Sequence, residues 1–177
     1  MRVLFTTSAA SGHLHPLVPL AQSLQAAGHE VAFASADDVR PTVEGLGFRF
    51  FPAGIPVTAA IAELGPLRAT APDADHPLWG GKEMFGRILP GRMVLGLLAA
   101  IRAWEPDLIV RETTEVAGAI VAEAFGLPHA SVEVGAFFSA PSLADLLGDH
   151  VNRLRAGLDL PPDPALGMLY RHLHLSF

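Results

Sequence analysis

Cysteine is absent from all 177 residues, which excludes disulfide bonds, thiolate nucleophiles and thiolate metal ligands. Basic residues are also few, because 12 Lys and Arg residues stand against 18 Asp and Glu residues and leave a net charge of −6. Nucleic acids and anionic membrane surfaces attract basic proteins, so neither is expected as a partner. We expect no signal peptide and no apolar run of membrane-spanning length, and therefore a cytoplasmic protein without stable membrane insertion.

Glycine is scarce where a nucleotide-binding turn would need it. The loop after the first apolar run, TTSAASGHLHP, contains one glycine, whereas a dinucleotide-binding turn requires G-x-G-x-x-G. The Gly-Lys-Ser/Thr of a P-loop is missing from the whole chain. A nucleotide-dependent oxidoreductase is therefore the least supported class of function.

The apolar pattern that is present predicts an α/β fold. Half of the residues are hydrophobic, and up to Gly54 apolar runs alternate as strand, helix, strand, helix, strand. That order is typical of a Rossmann-like, doubly wound, mainly parallel sheet with helices on both faces. The runs PDLIVRE, PHASVEV and LYRHLHLSF add strand character later in the chain. The length favours one domain over residues 1–177.

Two segments interrupt this alternation. Residues 55–81 contain four prolines and end in a pair of glycines, so we expect an irregular loop that is weakly ordered or serves as a lid. The following segment, EMFGRILPGRMVLGLLAAIRAW, has helical spacing, and Pro90 with Gly91 is expected to break that helix.

His13 follows the first predicted strand, at the mouth of the next helix. Ligands of open α/β sheets bind just beyond the carboxyl ends of the strands, so His13 is either a catalytic group or a solvated turn residue. A metal is not expected, because the two histidine pairs of the chain (His13 with His15, His172 with His174) lack both cysteine and an H-E-x-x-H pattern.

Four stretches of the chain resemble the amino-terminal, acceptor-binding half of GT-B glycosyltransferases of the macrolide and antibiotic type. They are GHLHPLVPLAQSLQAAGHEVAFAS (12–35), VEGLGFRFFPAG (43–54), PDLIVRETTEVAGAIVAEAFGLP (106–128) and the final LHLSF. The resemblance implies inverting transfer of a sugar, commonly a deoxysugar, from a nucleotide diphosphate sugar to a hydroxyl of an apolar natural product. No further cofactor is implied. The donor would bind a carboxyl-terminal domain that these 177 residues lack, and the chain alone would be inactive.

The resemblance also assigns site residues. It implies that His13 is the general base for the acceptor hydroxyl and that Glu112 orients it, with Glu115 as a competing carboxylate. A neutral imidazole, with an ordinary pKa of about 6.5, suits this task. Candidate substrate-binding residues are Ser11, Gly12, Trp79, Met84, Phe85, Phe137 and Phe138.

An alternative from another class stays open. The chain could be a stand-alone module that holds an apolar small molecule or a partner protein without catalysis. The high hydrophobic fraction also leaves two outcomes open for the isolated chain. It self-associates into a homo-oligomer, since large apolar patches are unusual on monomers, or it binds the acceptor weakly and the donor not detectably.

Overall fold

The computed structural model describes residues 1–135 and 140–176. In this part of the chain six strands form one parallel sheet in the order β3-β2-β1-β4-β5-β6. The strands are β1 (Arg2–Thr6), β2 (Glu30–Ser35), β3 (Arg49–Pro52), β4 (Leu108–Glu112), β5 (His129–Val132) and β6 (Leu173–Leu175). The predicted doubly wound parallel sheet is confirmed. Its strand order reverses between β1 and β4, which is where such sheets form a ligand crevice.

Seven α-helices of four or more residues are described. They are α1 (Ser11–Leu14), α2 (Val18–Ala26), α3 (Arg40–Gly45), α4 (Val57–Arg68), α5 (Leu89–Trp104), α6 (Ala117–Ala124) and α7 (Ala140–Ala156). Short 3₁₀ turns occupy His15–Leu17, Asp37–Val39 and Gly167–Tyr170, and a helical turn at Trp79–Gly81 leads into a π-helical segment, Lys82–Ile88.

The central strand β1 shows why helices cover both faces of the sheet. Val3 and Phe5 pack with residues of α1, α2 and α3, whereas Leu4 packs on the opposite face with residues of α5 and α6. Successive side chains of a strand point to opposite faces, and all three of these side chains are fully buried. An apolar run without alternation is therefore what a strand buried on both faces requires.

The segment expected to be an irregular loop contains a helix. Pro56 lies just before α4, where a proline does not disturb helical hydrogen bonding, and only Pro66 lies inside the helix. Ala60 of α4 is fully buried against Ile88 and Leu89. The prediction of irregular structure is wrong for α4, and a lid over the cleft stays a prediction, limited to the turns at residues 69–78.

The helix break expected at Pro90 lies earlier in the chain. Pro90 is in the first turn of α5, where its missing N–H costs little. The change of helix type precedes it, because the Leu89 N–H donates to the Met84 carbonyl in the wider π register. Short π-helical segments inside helices are common at functional sites.

The helical stretch Trp79–Trp104 corrects one expectation. It is 26 residues long and its most apolar 18-residue window has a mean hydropathy of 1.5, enough by length and composition to cross a membrane. About 44% of its most apolar window is buried, and Met93, Leu97 and Ile101 pack beneath the sheet. A core helix of a soluble protein meets the same criteria, so the stretch is only weak evidence for a membrane span.

Candidate active site at the carboxyl ends of the strands

His13 and Glu112 meet where the two central strands end. His13 lies on α1, which follows β1, and Glu112 is the last residue of β4, the strand paired with β1. The distance between His13 Nδ1 and Glu112 Oε1 is 2.9 Å. The His13 side chain is 23% exposed and that of Glu112 is fully buried. The imidazole is thus reachable from the cleft and the carboxylate behind it is not.

Each member of this pair stabilises the charged form of the other. The hydrogen bond to Glu112 raises the pKa of His13, although burial opposes this change. Burial alone would raise the pKa of Glu112, but hydrogen bonds from His13 and Thr114 outweigh it and lower that pKa. An ionised carboxylate only accepts hydrogen bonds. Nδ1 of His13 therefore carries the proton, and Nε2 is left as the basic nitrogen when the ring is neutral.

Glu115, the competing carboxylate, does not contact His13. Its carboxylate accepts the Thr6 hydroxyl at 2.5 Å and the backbone N–H of Gly118 at 2.9 and 3.1 Å. Burial raises the pKa of Glu115. A side chain at Gly118 would lie 2.4 Å from Thr6 Oγ1 and 2.6 Å from Glu115 Oε2. Glu115 thus binds the amino-terminal end of α6, and only a glycine at position 118 leaves room for it.

An apolar cavity of about 380 Å³ adjoins the pair. Its lining is mostly aliphatic and comes from the turn before the π-helical segment, from that segment, from the loop after β4 and from α7. The lining residues are Pro77, Leu78, Gly81, Phe85, Thr114, Leu143, Leu146 and Leu147. The ring centroids of Phe85 and His13 are 6.1 Å apart, and Thr114 contacts both members of the pair. Two lining residues, Phe85 and Thr114, therefore lie between the cavity and the imidazole.

The predicted substrate-binding residues divide into several groups. Phe85 lines the cavity, and Ser11 and Gly12 are exposed at the start of α1. Met84 packs instead against the cluster of Ala60, Ile88 and Leu89. Phe137 and Phe138 lie outside the described residues.

Trp79 does not line this cavity. It is only 3% exposed, the Arg68 guanidinium lies 5.9 Å from its ring, and it borders a different pocket, beside Glu83 and Arg87. The expectation that Trp79 sits in an irregular loop is wrong, because it begins the helical turn before the π-helical segment. This placement indicates a core role.

Several lining residues were missed from the sequence. Thr114 lies between Glu112 and Glu115, the two carboxylates proposed from the sequence, so its position was a usable signal. Leu143, Leu146 and Leu147 form an i, i+3, i+4 stripe on α7, a pattern that marks a buried helix face without showing what covers it.

In residues 1–135 and 140–176, His, Asp and Glu side chains form no group of three that could hold a metal ion. His13 instead pairs with Glu112, and the ring of His172 contacts His129 edge to face at 5.1 Å between centroids.

The buried His129 predicts a pH-dependent stability. Burial first, and then the nearby charge of Arg111, lower its pKa to about 4. The unfolded chain takes up a proton near pH 6.5 and the folded chain does not, so the free energy of unfolding falls as the pH drops from about 6.5 to about 4. The loss reaches about 3 kcal/mol, one pKa unit being about 1.4 kcal/mol. Urea unfolding across this range should show a flatter pH dependence for His129→Leu than for wild type. His76→Leu, a change at an exposed histidine, should keep the wild-type dependence of the free energy of unfolding on pH. The same wild-type dependence in His129→Leu would contradict this account.

Comparisons with known proteins place this chain beside antibiotic glycosyltransferases. Residues 22–169 match the family described as erythromycin biosynthesis protein CIII-like, N-terminal domain. Aclacinomycin-T 2-deoxy-L-fucose transferase of Streptomyces galilaeus is 35% identical over 162 residues, covering 76% of this chain and 37% of the relative. The 10-deoxymethynolide desosaminyltransferase of Streptomyces venezuelae is 34% identical over 153 residues, covering 75% of this chain and 35% of the relative.

A solved structure agrees in fold. The glycosyltransferase SnogD from Streptomyces nogalater superposes with a TM-score of 0.75 at 28% identity, covering 99% of this chain and 44% of that one. The chain therefore spans less than half the length of these relatives.

Proposed function

This chain belongs to the family of erythromycin biosynthesis protein CIII-like N-terminal domains, and from that membership we propose that it forms the acceptor-binding half of an inverting glycosyltransferase. The observation that carries the proposal is the 2.9 Å contact between His13 and Glu112 beside an apolar cavity. A binding module without catalysis, the alternative, gives no reason for a buried carboxylate held against a partly exposed imidazole.

The proposed reaction is a displacement at the anomeric carbon of the donor sugar. Nε2 of His13 takes the proton of the acceptor hydroxyl as its oxygen attacks that carbon from the face opposite the leaving group. The bond from the anomeric carbon to the nucleotide diphosphate breaks, and the diphosphate leaves with the electron pair. Glu112 stabilises the imidazolium and keeps the ring oriented, as the carboxylate of a hydrolase triad does.

The proposed acceptor is an apolar natural product. The cavity near His13 is lined by four leucines, Pro77 and Phe85 among others, which suits a hydrocarbon-rich ligand whose hydroxyl reaches the imidazole. The names of the relatives specify a 2-deoxy-L-fucose transferase and a desosaminyltransferase, so we propose a deoxysugar donor carried on a nucleotide diphosphate, and no other cofactor. We further propose that a carboxyl-terminal half binds this donor, that the present chain alone is inactive, and that the enzyme works in the cytoplasm.

The cavity leads to a binding prediction. Leu146→Gln should weaken acceptor binding about tenfold, because it replaces part of the apolar wall and a buried leucine contributes about 1.5–3 kcal/mol. Calorimetric titration with a panel of apolar aglycones, 10-deoxymethynolide among them, measures the change. Leu95→Gln, at a leucine that is 77% exposed on α5, is the matched control and should bind like wild type. Equal affinities for the Leu146→Gln variant and wild type would place the acceptor elsewhere.

A further inference from the structure

Thr114 is in contact with both members of the proposed catalytic pair. Its hydroxyl oxygen lies 2.9 Å from Glu112 Oε2, 3.0 Å from Oε1 and 3.3 Å from His13 Nδ1. Its backbone N–H donates to Glu112 Oε2 at 2.6 Å. Thr114 also lines the apolar cavity. One residue thus joins the carboxylate, the imidazole and the cavity wall.

The hydrogen-bonding capacity of these groups fixes the direction of each contact. The ionised carboxylate of Glu112 only accepts, and a threonine hydroxyl has one proton to donate. The Thr114 hydroxyl therefore donates to the carboxylate, and the longer contact to His13 Nδ1 lets its oxygen accept weakly from the imidazole. Oε2 receives the backbone N–H, which leaves Oε1 directed at His13.

A buried arginine holds the loop that carries Thr114. The Arg111 guanidinium donates to the carbonyls of Glu112, Thr113 and Glu115 at 3.0 to 3.2 Å, and to that of Leu169 at 2.6 Å. Arg111 is fully buried. The main chain on both sides of Thr114 is therefore tied down, so its N–H and hydroxyl stay aimed at the carboxylate.

We propose that Thr114 is a positioning residue that selects which oxygen of Glu112 faces His13 and draws part of the carboxylate's negative charge away from the imidazole. The proposal rests on the proposed function for its kinetic consequence, but not for its effect on the proton equilibrium of His13. Among the residues that the structure describes, the charged groups around the pair are Glu112 itself and, behind it, the buried Arg111 and Glu115. A change at Thr114 leaves all of these in place.

The test compares Thr114→Val with Thr114→Ser in the full-length protein. Valine keeps the shape of threonine but removes the hydroxyl, so the carboxylate loses a donor and binds imidazolium more strongly. The titration midpoint of His13, followed by NMR through its Cε1 proton, should rise by roughly half a unit to one unit. The acidic limb of kcat/KM against pH should move upward with it. At neutral pH kcat should fall about tenfold, while KM for the acceptor changes less than about twofold.

Two further variants complete the experiment. Thr114→Ser restores the hydroxyl and should return both the midpoint and the pH profile toward wild type. Thr70→Val, at an exposed threonine whose hydroxyl donates to the Leu67 carbonyl, should change neither. Thr114→Ala replaces the valine variant if that protein does not fold.

The outcomes separate the two proposals. An unchanged His13 midpoint in Thr114→Val overturns the positioning role, whatever the activity. A serine variant that behaves like valine overturns it too, because a side chain that keeps the hydroxyl would then shift the midpoint as much as one that lacks it. A shifted midpoint in an enzyme whose rate does not depend on His13 would leave Thr114 as the positioning residue and refute the general base.

Discussion

Replacing His13 with alanine should lower the rate of sugar transfer by on the order of 10²–10⁴ in the full-length protein, the usual contribution of a general base. The acceptor hydroxyl would then have to lose its proton to water while it attacks. The apolar cavity beside position 13 is unaltered by the change, so KM for the acceptor should move much less than kcat.

The control for this variant is two residues away. His15 is exposed on the 3₁₀ turn after α1, and His15→Ala should keep the wild-type kcat. Added imidazole should partly restore the His13→Ala enzyme, because a small base can occupy the space that the side chain leaves. A His13→Ala enzyme with unimpaired kcat would refute the role of His13.

Replacing Glu112 with glutamine should cost a similar factor, on the order of 10²–10⁴, without removing a single heavy atom. The N–H and hydroxyl of Thr114 both donate toward the side chain of residue 112, so they select the amide oxygen and turn the amide NH₂ toward His13. Nδ1 must then accept, and the proton of the neutral ring moves to Nε2. The nitrogen that faces the substrate is no longer a base.

The pH profile of the Glu112→Gln enzyme should differ from that of the wild type in a defined direction. The hydrogen bond that His13 donates to Glu112 raises the pKa of His13 in the wild type, so activity should fall on the acid side at a pH above 6.5, where the base becomes protonated. Without the carboxylate, the small remaining activity should persist to lower pH. Glu115→Gln is the matched control, since Glu115 is also buried but bonds Thr6 and Gly118. The Glu115→Gln change is expected to affect stability more than the pH profile. Full activity in Glu112→Gln would contradict the pairing of Glu112 with His13.

The parallel sheet could be predicted from the sequence because its strands are buried on both faces. The stretches VLF in RVLFTT and LIV in PDLIVRE are apolar without alternation, and each lies in a central strand. The position of His13 followed from the strand that precedes it, because the end of a parallel strand marks the ligand crevice. The choice between Glu112 and Glu115 did not follow, because both lie near the end of β4 and only the loop conformation separates them.

The helical part of the site was harder to predict. Met84 and Phe85 are neighbours in sequence, but only Phe85 lines the cavity. Their directions depend on the π-helical segment, whose turn is wider than the 3.6 residues assumed when an apolar pattern is read as a helix. Helix α4 was missed because its own apolar residues lie on all sides of the helix, so it shows no single apolar face. Ala60 is its one buried residue.

The most direct test of the account is the tautomer of His13, measured by ¹⁵N NMR of the imidazole above its pKa. Glu112 accepts from Nδ1 at 2.9 Å, so the neutral ring should carry its proton on Nδ1 and leave Nε2 unprotonated toward the cleft. The spectrum of Glu112→Gln should show the opposite tautomer. A wild-type ring protonated on Nε2 would contradict the account, because His13 could not then take a proton from an acceptor hydroxyl.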